Sequence, residues 1–462
     1  MSTVTQFVPR TRRNVELLLV LLACAIVMVA YLAVGLAVNG QVPLDLITQG
    51  AWLLGLTVAF HVVLRWRAAY ADPLLLPIAA LLNGLGLVMI HRLDLAKGTE
   101  SAMASRQLMW SALGMVVACL VLVLLRDHRQ LRRYTYTTMA AGLVFLLLPL
   151  VPFLGRSVYG ARIWINIGPF SFQPGEIAKI LLTIFFAGYL VQTRDALALV
   201  GRSVLGFPLP RGRDLGPILI AWIASLLVLV LERDLGSSLL FFGLFVAMLY
   251  VATERISWIA IGMLLFGGGA YLAYLLFDHV QQRVMFWLNP WSETALAQSD
   301  QLVRGLMGMG AGGILGTGLG SGHPYLTYFA ESDFIIPSFA EELGLAGLFA
   351  ILLLYALLVE RGLRTALGTR DGFGKLLATG LSFSIALQVF VVVGGVTRVI
   401  PLTGLTTPFL SQGGSSLLAN WTIVAILLRI SDHARRPMPA PVKVTMPDSA
   451  PTPTTPRPAV KP

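Results

Sequence analysis

Apolar runs of about 20 residues, separated by short polar turns, repeat along nearly the whole chain. A membrane-spanning helix needs about 20 mostly apolar residues. About twelve runs meet that length: 15–38, 49–65, 73–91, 108–126, 134–154, 174–193, 215–232, 236–252, 257–277, 340–359, 374–396 and 414–430. One long interruption, from about Asp278 to Phe339, breaks the series. It carries the Gly run GMGAGGILGTGLGSG and closes on ESDFIIPSFAEELG, where Glu331, Asp333, Glu341 and Glu342 crowd together at a membrane edge. A structureless connection of this length is rare in a compact protein unless it is functional. The pattern predicts an all-α polytopic membrane protein with one large polar loop at 278–339.

Composition agrees. The chain has 462 residues, of which 56% are hydrophobic and 12% charged, with a mean hydropathy of +0.78. Soluble domains run near about 25% charged. The first apolar run is longer than a signal-peptide core of about 7–15 residues and reads as a retained helix. The net charge of +11 does not point to nucleic acid, because Lys and Arg gather in cytoplasmic loops. With the N-terminus inside, the inner loops hold about 21 basic residues and the outer ones about 9. Both termini are then cytoplasmic and the 278–339 loop faces outward. Cys24 and Cys119 lie inside apolar runs, so no disulfide framework is expected. The tail from Pro437 to Pro462 is rich in Pro and Thr and is expected to be disordered.

Three places put polar or ionisable groups where a membrane disfavours them. In GARIWINIGPFSFQPGEIAKI, Glu176 and Lys179 stand three apart near a helix start, with Pro174 in its first turn. They could be a supporting ion pair or part of a functional network. In ERDLGSS, Asp234 could cap the following helix, face Lys179 across the bundle, or do both. In TRVIPLTGLTTPFLSQGGSS, Arg398 lies among Gly and Pro between two spans, where non-helical backbone is tolerated if it lines a cavity.

Other chemistry is disfavoured. Gly308–Gly313 fits G-x-G-x-x-G, but no strand precedes it and no G-K-[ST] follows. The six His are scattered without H-E-x-x-H or a Cys pair, which argues against a built-in zinc site. Ser415 and Ser416 have no His or Asp nearby in sequence to activate them. What remains is an outer polar cavity holding carboxylates and Arg groups. Arginine suits phosphate, and a carboxylate suits removal of a hydroxyl proton. An enzyme or carrier for a lipid-linked phosphate fits, as does a solute transporter.

At GARIWINIGPFSFQPGEIAK, RDLGSS, GGILGTGLGSG, SDFIIPSFAEELGLAG and PLTGLTTPFLSQGGSS, in that order, the chain resembles the SEDS family (shape, elongation, division and sporulation proteins of the RodA and FtsW type). The resemblance covers about 72–432 and leans to the RodA-like elongation type. It implies a ten-helix membrane domain at 72–432, two extra N-terminal helices at 15–71, a cytoplasmic segment at 1–14 and a cytoplasmic Pro-rich tail at 433–462. It implies a peptidoglycan glycosyltransferase of the bacterial cytoplasmic membrane that polymerises lipid II and releases undecaprenyl pyrophosphate, with a lipid II flippase as the alternative. Asp333 is the implied general base. Glu176, Lys179 and Asp234 are the implied supporting network, and Arg106, Arg162 and Arg398 are candidates for the pyrophosphates. The implied partner is a class B penicillin-binding protein. No cofactor is identified, and a divalent cation is left open. The chain departs from the family pattern at Gly175, at Glu232-Arg233 and at Gln412; no acid or base is lost.

Overall fold

In the computed structural model, residues 11–98, 102–158, 161–168, 170–198, 203–204, 207–208 and 212–437 are described. Because lipid offers a backbone no hydrogen-bond partners, the apolar runs satisfy themselves as helices. The first nine helices are α1 (Arg13–Asn39), α2 (Leu46–Arg67), α3 (Leu75–Lys97), α4 (Met103–Leu124), α5 (Thr135–Leu147), α6 (Pro174–Ala198), α7 (Gly212–Leu231), α8 (Leu235–Thr253) and α9 (Ser257–Leu276). Three short helices follow: α10 (Asp278–Leu288), α11 (Glu293–Gln298) and α12 (Gln301–Gly312). The long α13 (Ile335–Gly368), α14 (Gly372–Val396) and α15 (Gly414–Arg435) complete the bundle.

Each of the twelve expected spans coincides with a helix. Among the described residues, 10 helices are long and apolar enough to cross a membrane. The other two spans are α5, 13 residues long before a 3-10 turn at Leu148–Leu150, and α7, at 20 residues. The buried centre of the bundle is α15, α3 and α6, whose apolar windows are 83%, 78% and 78% buried, whereas α9 is only 6% buried. A helix apolar on every face and this exposed is stable only against lipid.

Three details differ from the sequence reading. The 278–339 segment is not structureless, since α10 to α12 occupy much of it. A three-stranded antiparallel sheet, β1 (Gly155–Val158), β2 (Ala161–Ile167) and β3 (Phe170–Phe172), precedes α6. Alternation of apolar and polar residues in ARIWINI is its sequence signal. Helix α15 runs through Arg435, past the expected start of the tail at 433; residues 438–462 lie outside the described residues, as do 1–10.

The Gly run explains the shape of α13. Gly344 breaks the helix with φ 68° and ψ −173°, a left-handed conformation that only Gly adopts cheaply. The run folds over this break: the Leu345 and Ala346 amides donate to Gly313 O and Ile314 O at 2.9 and 3.0 Å, and the Thr317 and Gly318 amides donate to Glu341 O and Glu342 O at 3.0 and 2.9 Å. Orphan backbone groups at the kink are thereby satisfied.

Candidate active site

The 397–413 segment between α14 and α15 is where the candidate residues meet. It receives ties from four directions, and α15 beyond it from a fifth. Ser411 Oγ donates to Ser332 O at 2.5 Å, and the Gln412 amide donates to Glu331 O at 2.7 Å, which fixes the stretch that carries Asp333. From α10, Arg283 donates to Leu402 O and Thr403 O at 2.9 and 3.1 Å. From α14, Gln388 Nε2 donates to Thr406 O at 2.8 Å. From α4, Gln107 Nε2 donates to Ser411 O at 2.9 Å. At the start of α15, Ser415 Oγ accepts from the Gln173 amide at 2.8 Å. Buried, irregular backbone survives at this depth because its polar groups are paired in this way.

Of the four crowded carboxylates, three are spent on structure. Glu331 pairs with Lys97 at 3.0 Å. Glu341 accepts from the His323 amide at 2.6 Å. Glu342 accepts from the Gly320 amide at 2.9 Å and pairs with buried Arg92 at 3.1 Å. Asp333 differs. It is half-buried, and among the described residues no salt bridge holds it. Burial pushes its carboxyl up to about 7, against the pull of its own backbone N–H and of Arg283. A carboxylate near neutrality can both lose and take a proton at working pH.

Arg283 is the residue that sequence reasoning missed. It was visible only as one more basic residue in the outer loop. In the fold it lies between two acids: burial lowers its pKa, and Asp234 and then Asp333 oppose that shift.

The implied network is built differently from expectation. Glu176 and Lys179, one turn apart on α6, pair at 2.8 Å as the spacing suggests. Lys179 does not reach across to Asp234; its second partner is Gln388 Oε1 at 2.8 Å. A neutral amide satisfies the ammonium there without adding a third charge to the low-dielectric interior. Asp234 caps α8, accepting from the Ser237 amide at 2.9 Å. Burial raises its pKa, and Arg283 is its nearest opposing cation. Beside it, burial and the Asp234 charge push Glu232 up to about 9.

The three Arg candidates fare unequally. Arg398, with φ 63°, donates to Trp287 O and Leu288 O at 3.1 Å each, and Trp287 Nε1 donates back to Arg398 O at 3.0 Å. Its role is at least partly to lock α10 onto the central segment. Arg106 is exposed and donates to Ala102 O of its own helix at 3.2 Å. Arg162 is exposed on β2, its amide donating to Glu232 O at 3.0 Å. The arrangement as a whole is an acid near neutrality beside a half-buried arginine. It can deprotonate a hydroxyl and hold an anionic leaving group.

Known proteins supply the context. A family model described as "Cell cycle protein" (FtsW, RodA and SpoVE) matches residues 73–436. The chain is 51% identical over 433 residues to the peptidoglycan glycosyltransferase RodA of Mycobacterium tuberculosis, covering 93% of this chain and 92% of that one. It is 32% identical to the stage V sporulation protein E of Bacillus subtilis, over 79% of this chain and 98% of the other. Among solved structures, a peptidoglycan synthase complex described as coordinating polymerization and crosslinking aligns with TM-score 0.63 at 25% identity, over 79% of this chain and 98% of that one. The Thermus thermophilus rod shape determining protein RodA aligns with TM-score 0.54 at 25% identity, over 78% and 96%.

Proposed function

The chain belongs to the FtsW/RodA/SpoVE family, and from that premise we propose that it polymerises lipid II with Asp333 as the general base. It is a multi-pass membrane protein and a peptidoglycan glycosyltransferase. The observation that carries the assignment of the base is the isolation of Asp333: Glu331 and Glu342 are held by ion pairs and Glu341 by the His323 amide, whereas among the described residues the Asp333 carboxylate has only its own backbone N–H, and burial raises its pKa to about 7.

In this reading the acceptor sugar's 4-hydroxyl of GlcNAc lies against Asp333. The carboxylate takes the hydroxyl proton as the oxygen attacks the anomeric carbon of the donor MurNAc. The bond to undecaprenyl pyrophosphate breaks and the configuration inverts. Arg283 steadies the acid's charge, and Arg398, Arg106 and Arg162 are the cations available to the pyrophosphates. The Glu176–Lys179–Gln388 chain holds the central segment in register behind the acid. The positive-inside bias supports an outward-facing site end with both termini in the cytoplasm.

A transpeptidase of the class B penicillin-binding type is the partner we infer. The apolar groove of about 750 Å³ between α13 and α14, lined by Leu352, Leu363, Val389, Phe390 and Val393, has the chemistry to seat a single spanning helix. The test of the activity is direct. Purified protein given lipid II, with the transpeptidase present if required, should build glycan strands, and the Asp333→Asn protein should not. Undiminished synthesis by that variant would remove Asp333 from the role.

A further inference from the structure

Opposite the active site, at the end of the bundle that holds both termini, two histidines far apart in sequence meet. His128 opens the 3-10 turn His128–Tyr134 that follows α4, and His433 lies in the last turn of α15. Their rings stand edge to face, centroids 5.3 Å apart. Asp127 completes a cluster in which one ligand atom from each residue lies within 4.8 Å of the others.

The hydrogen-bond geometry of His128 makes this cluster more than a packing accident. Its ring is fully buried. Nε2 lies 3.0 Å from Asp371 Oδ1, so that nitrogen carries the proton and donates. Asp371 is well placed to accept: besides His128 it takes the Gly374 amide at 2.7 Å as the cap of α14. In the neutral ring Nδ1 is then a bare lone pair. It has no hydrogen-bond partner, and Asp127 Oδ1 faces it from 3.6 Å. A lone pair facing a carboxylate in this setting is repulsive unless a cation sits between them, either a proton on the ring or a metal ion. A histidine whose far nitrogen donates to a carboxylate while its near nitrogen points at further donors is the usual arrangement around a protein-bound metal. Gly374 lets the ring close on Asp371, since a Cβ there would stand 2.4 Å from His128 Nε2.

We propose that Asp127, His128 and His433 form a binding site for a divalent transition-metal ion, zinc in the first instance, that joins the turn after α4 to the end of α15. Two imidazoles and one carboxylate are a donor set of zinc type. The two neutral rings and one carboxylate leave a net negative charge for a dication to neutralise. Arg129 lies 3.4 Å from Asp371 Oδ1, and its amide donates to Asp127 Oδ1 at 2.9 Å, so one oxygen of that carboxylate also caps the turn. Asp127 and His433 are half-buried, so the ion has a way in.

The test uses the full chain in detergent, carried on a tag free of histidine, stripped with a chelator and titrated with zinc chloride. The expected result is zinc bound one to one, with a rise in the thermal midpoint. His433→Ala and Asp127→Asn should each lose both effects. Asp371→Asn should weaken zinc by roughly 10–100-fold while leaving the stoichiometry intact. Cobalt in place of zinc should give the visible absorption of a low-coordinate nitrogen site. If His433→Ala fails to fold, the wild-type stoichiometry and the cobalt spectrum still decide the matter. Folded wild-type protein that retains no zinc, or zinc retained equally by the His433→Ala protein, overturns the proposal; the first outcome would mean that His128 is an imidazolium clamped between two acids.

Discussion

At the scale of the residue, the proposed mechanism rests on one acid, Asp333, and one neighbouring cation, Arg283. Asp333→Asn removes the proton acceptor while keeping shape, so polymerisation should fall by about 10²–10⁴-fold, measured as glycan made from lipid II. Stability should move the other way. The folded-state pKa of Asp333 is raised to about 7, so the stability carried by its neutral form is fully present below the unfolded value and is lost as pH rises through about 7. Asn keeps that neutral form at every pH, and the variant's thermal midpoint at pH 8 should equal or exceed the wild type's. The proposed base acts in its ionised form, so the rate should drop on the acid side with an apparent pKa near 7. Arg283→Ala withdraws the charge that holds this value down, and should shift that limb to higher pH; an unchanged limb would separate Arg283 from the acid. The sequence made Asp333 legible through its motif. It could not single out Arg283, because a lone Arg in a polar loop looks the same whether it faces water or is wedged between Asp234 and Asp333.

At the scale of the element, hydropathy was sufficient to find every spanning helix and insufficient for what joins them. The helices α10, α11 and α12 have 11, 6 and 12 residues, too short for a periodic pattern to stand out, and α12 ends in glycines that each cost about 1 kcal/mol in a helix. Their stability comes from docking, for example through Arg283 and Trp287, which no local rule reports. The Gly run was visible, but its purpose was not: it supplies the close-fitting lid over the break in α13. A Cβ on Gly344 would lie 2.2 Å from the Gly316 amide nitrogen, in addition to the left-handed cost of about 1–2 kcal/mol. Gly344→Ala should therefore destabilise the protein by at least about 2 kcal/mol, read as a lowered melting midpoint in detergent, and should reduce activity without touching Asp333. Lys179 teaches the same lesson. Its partner on its own helix followed from spacing, while Gln388, distant in sequence and uncharged, could not be foreseen.

At the scale of the whole molecule, the count of about twelve spans, the loop at one end and the basic bias at the other were all readable before any coordinates. The packing order was not, since lipid-facing and buried helices are equally apolar; α9 and α3 cannot be told apart by composition. The groove between α13 and α14 belongs to this scale. A cysteine placed at Phe390, in a chain whose Cys24 and Cys119 have been replaced, should crosslink to the spanning helix of the proposed transpeptidase partner, and one placed at the still more exposed Leu264 of α9 should not. Equal labelling at both positions would move the partner elsewhere.

The acid, its arginine and the lysine chain all hang from one short stretch of irregular backbone, 397–413. Components bolted to a shared bracket keep their spacing when the bracket shifts. A neighbour leaning on α14 would therefore not retune one group at a time; it would advance or withdraw the entire assembly, so that catalysis is throttled in concert. Substitutions far out on α14 should then scale the turnover of every substrate by a common factor and leave preference among them untouched.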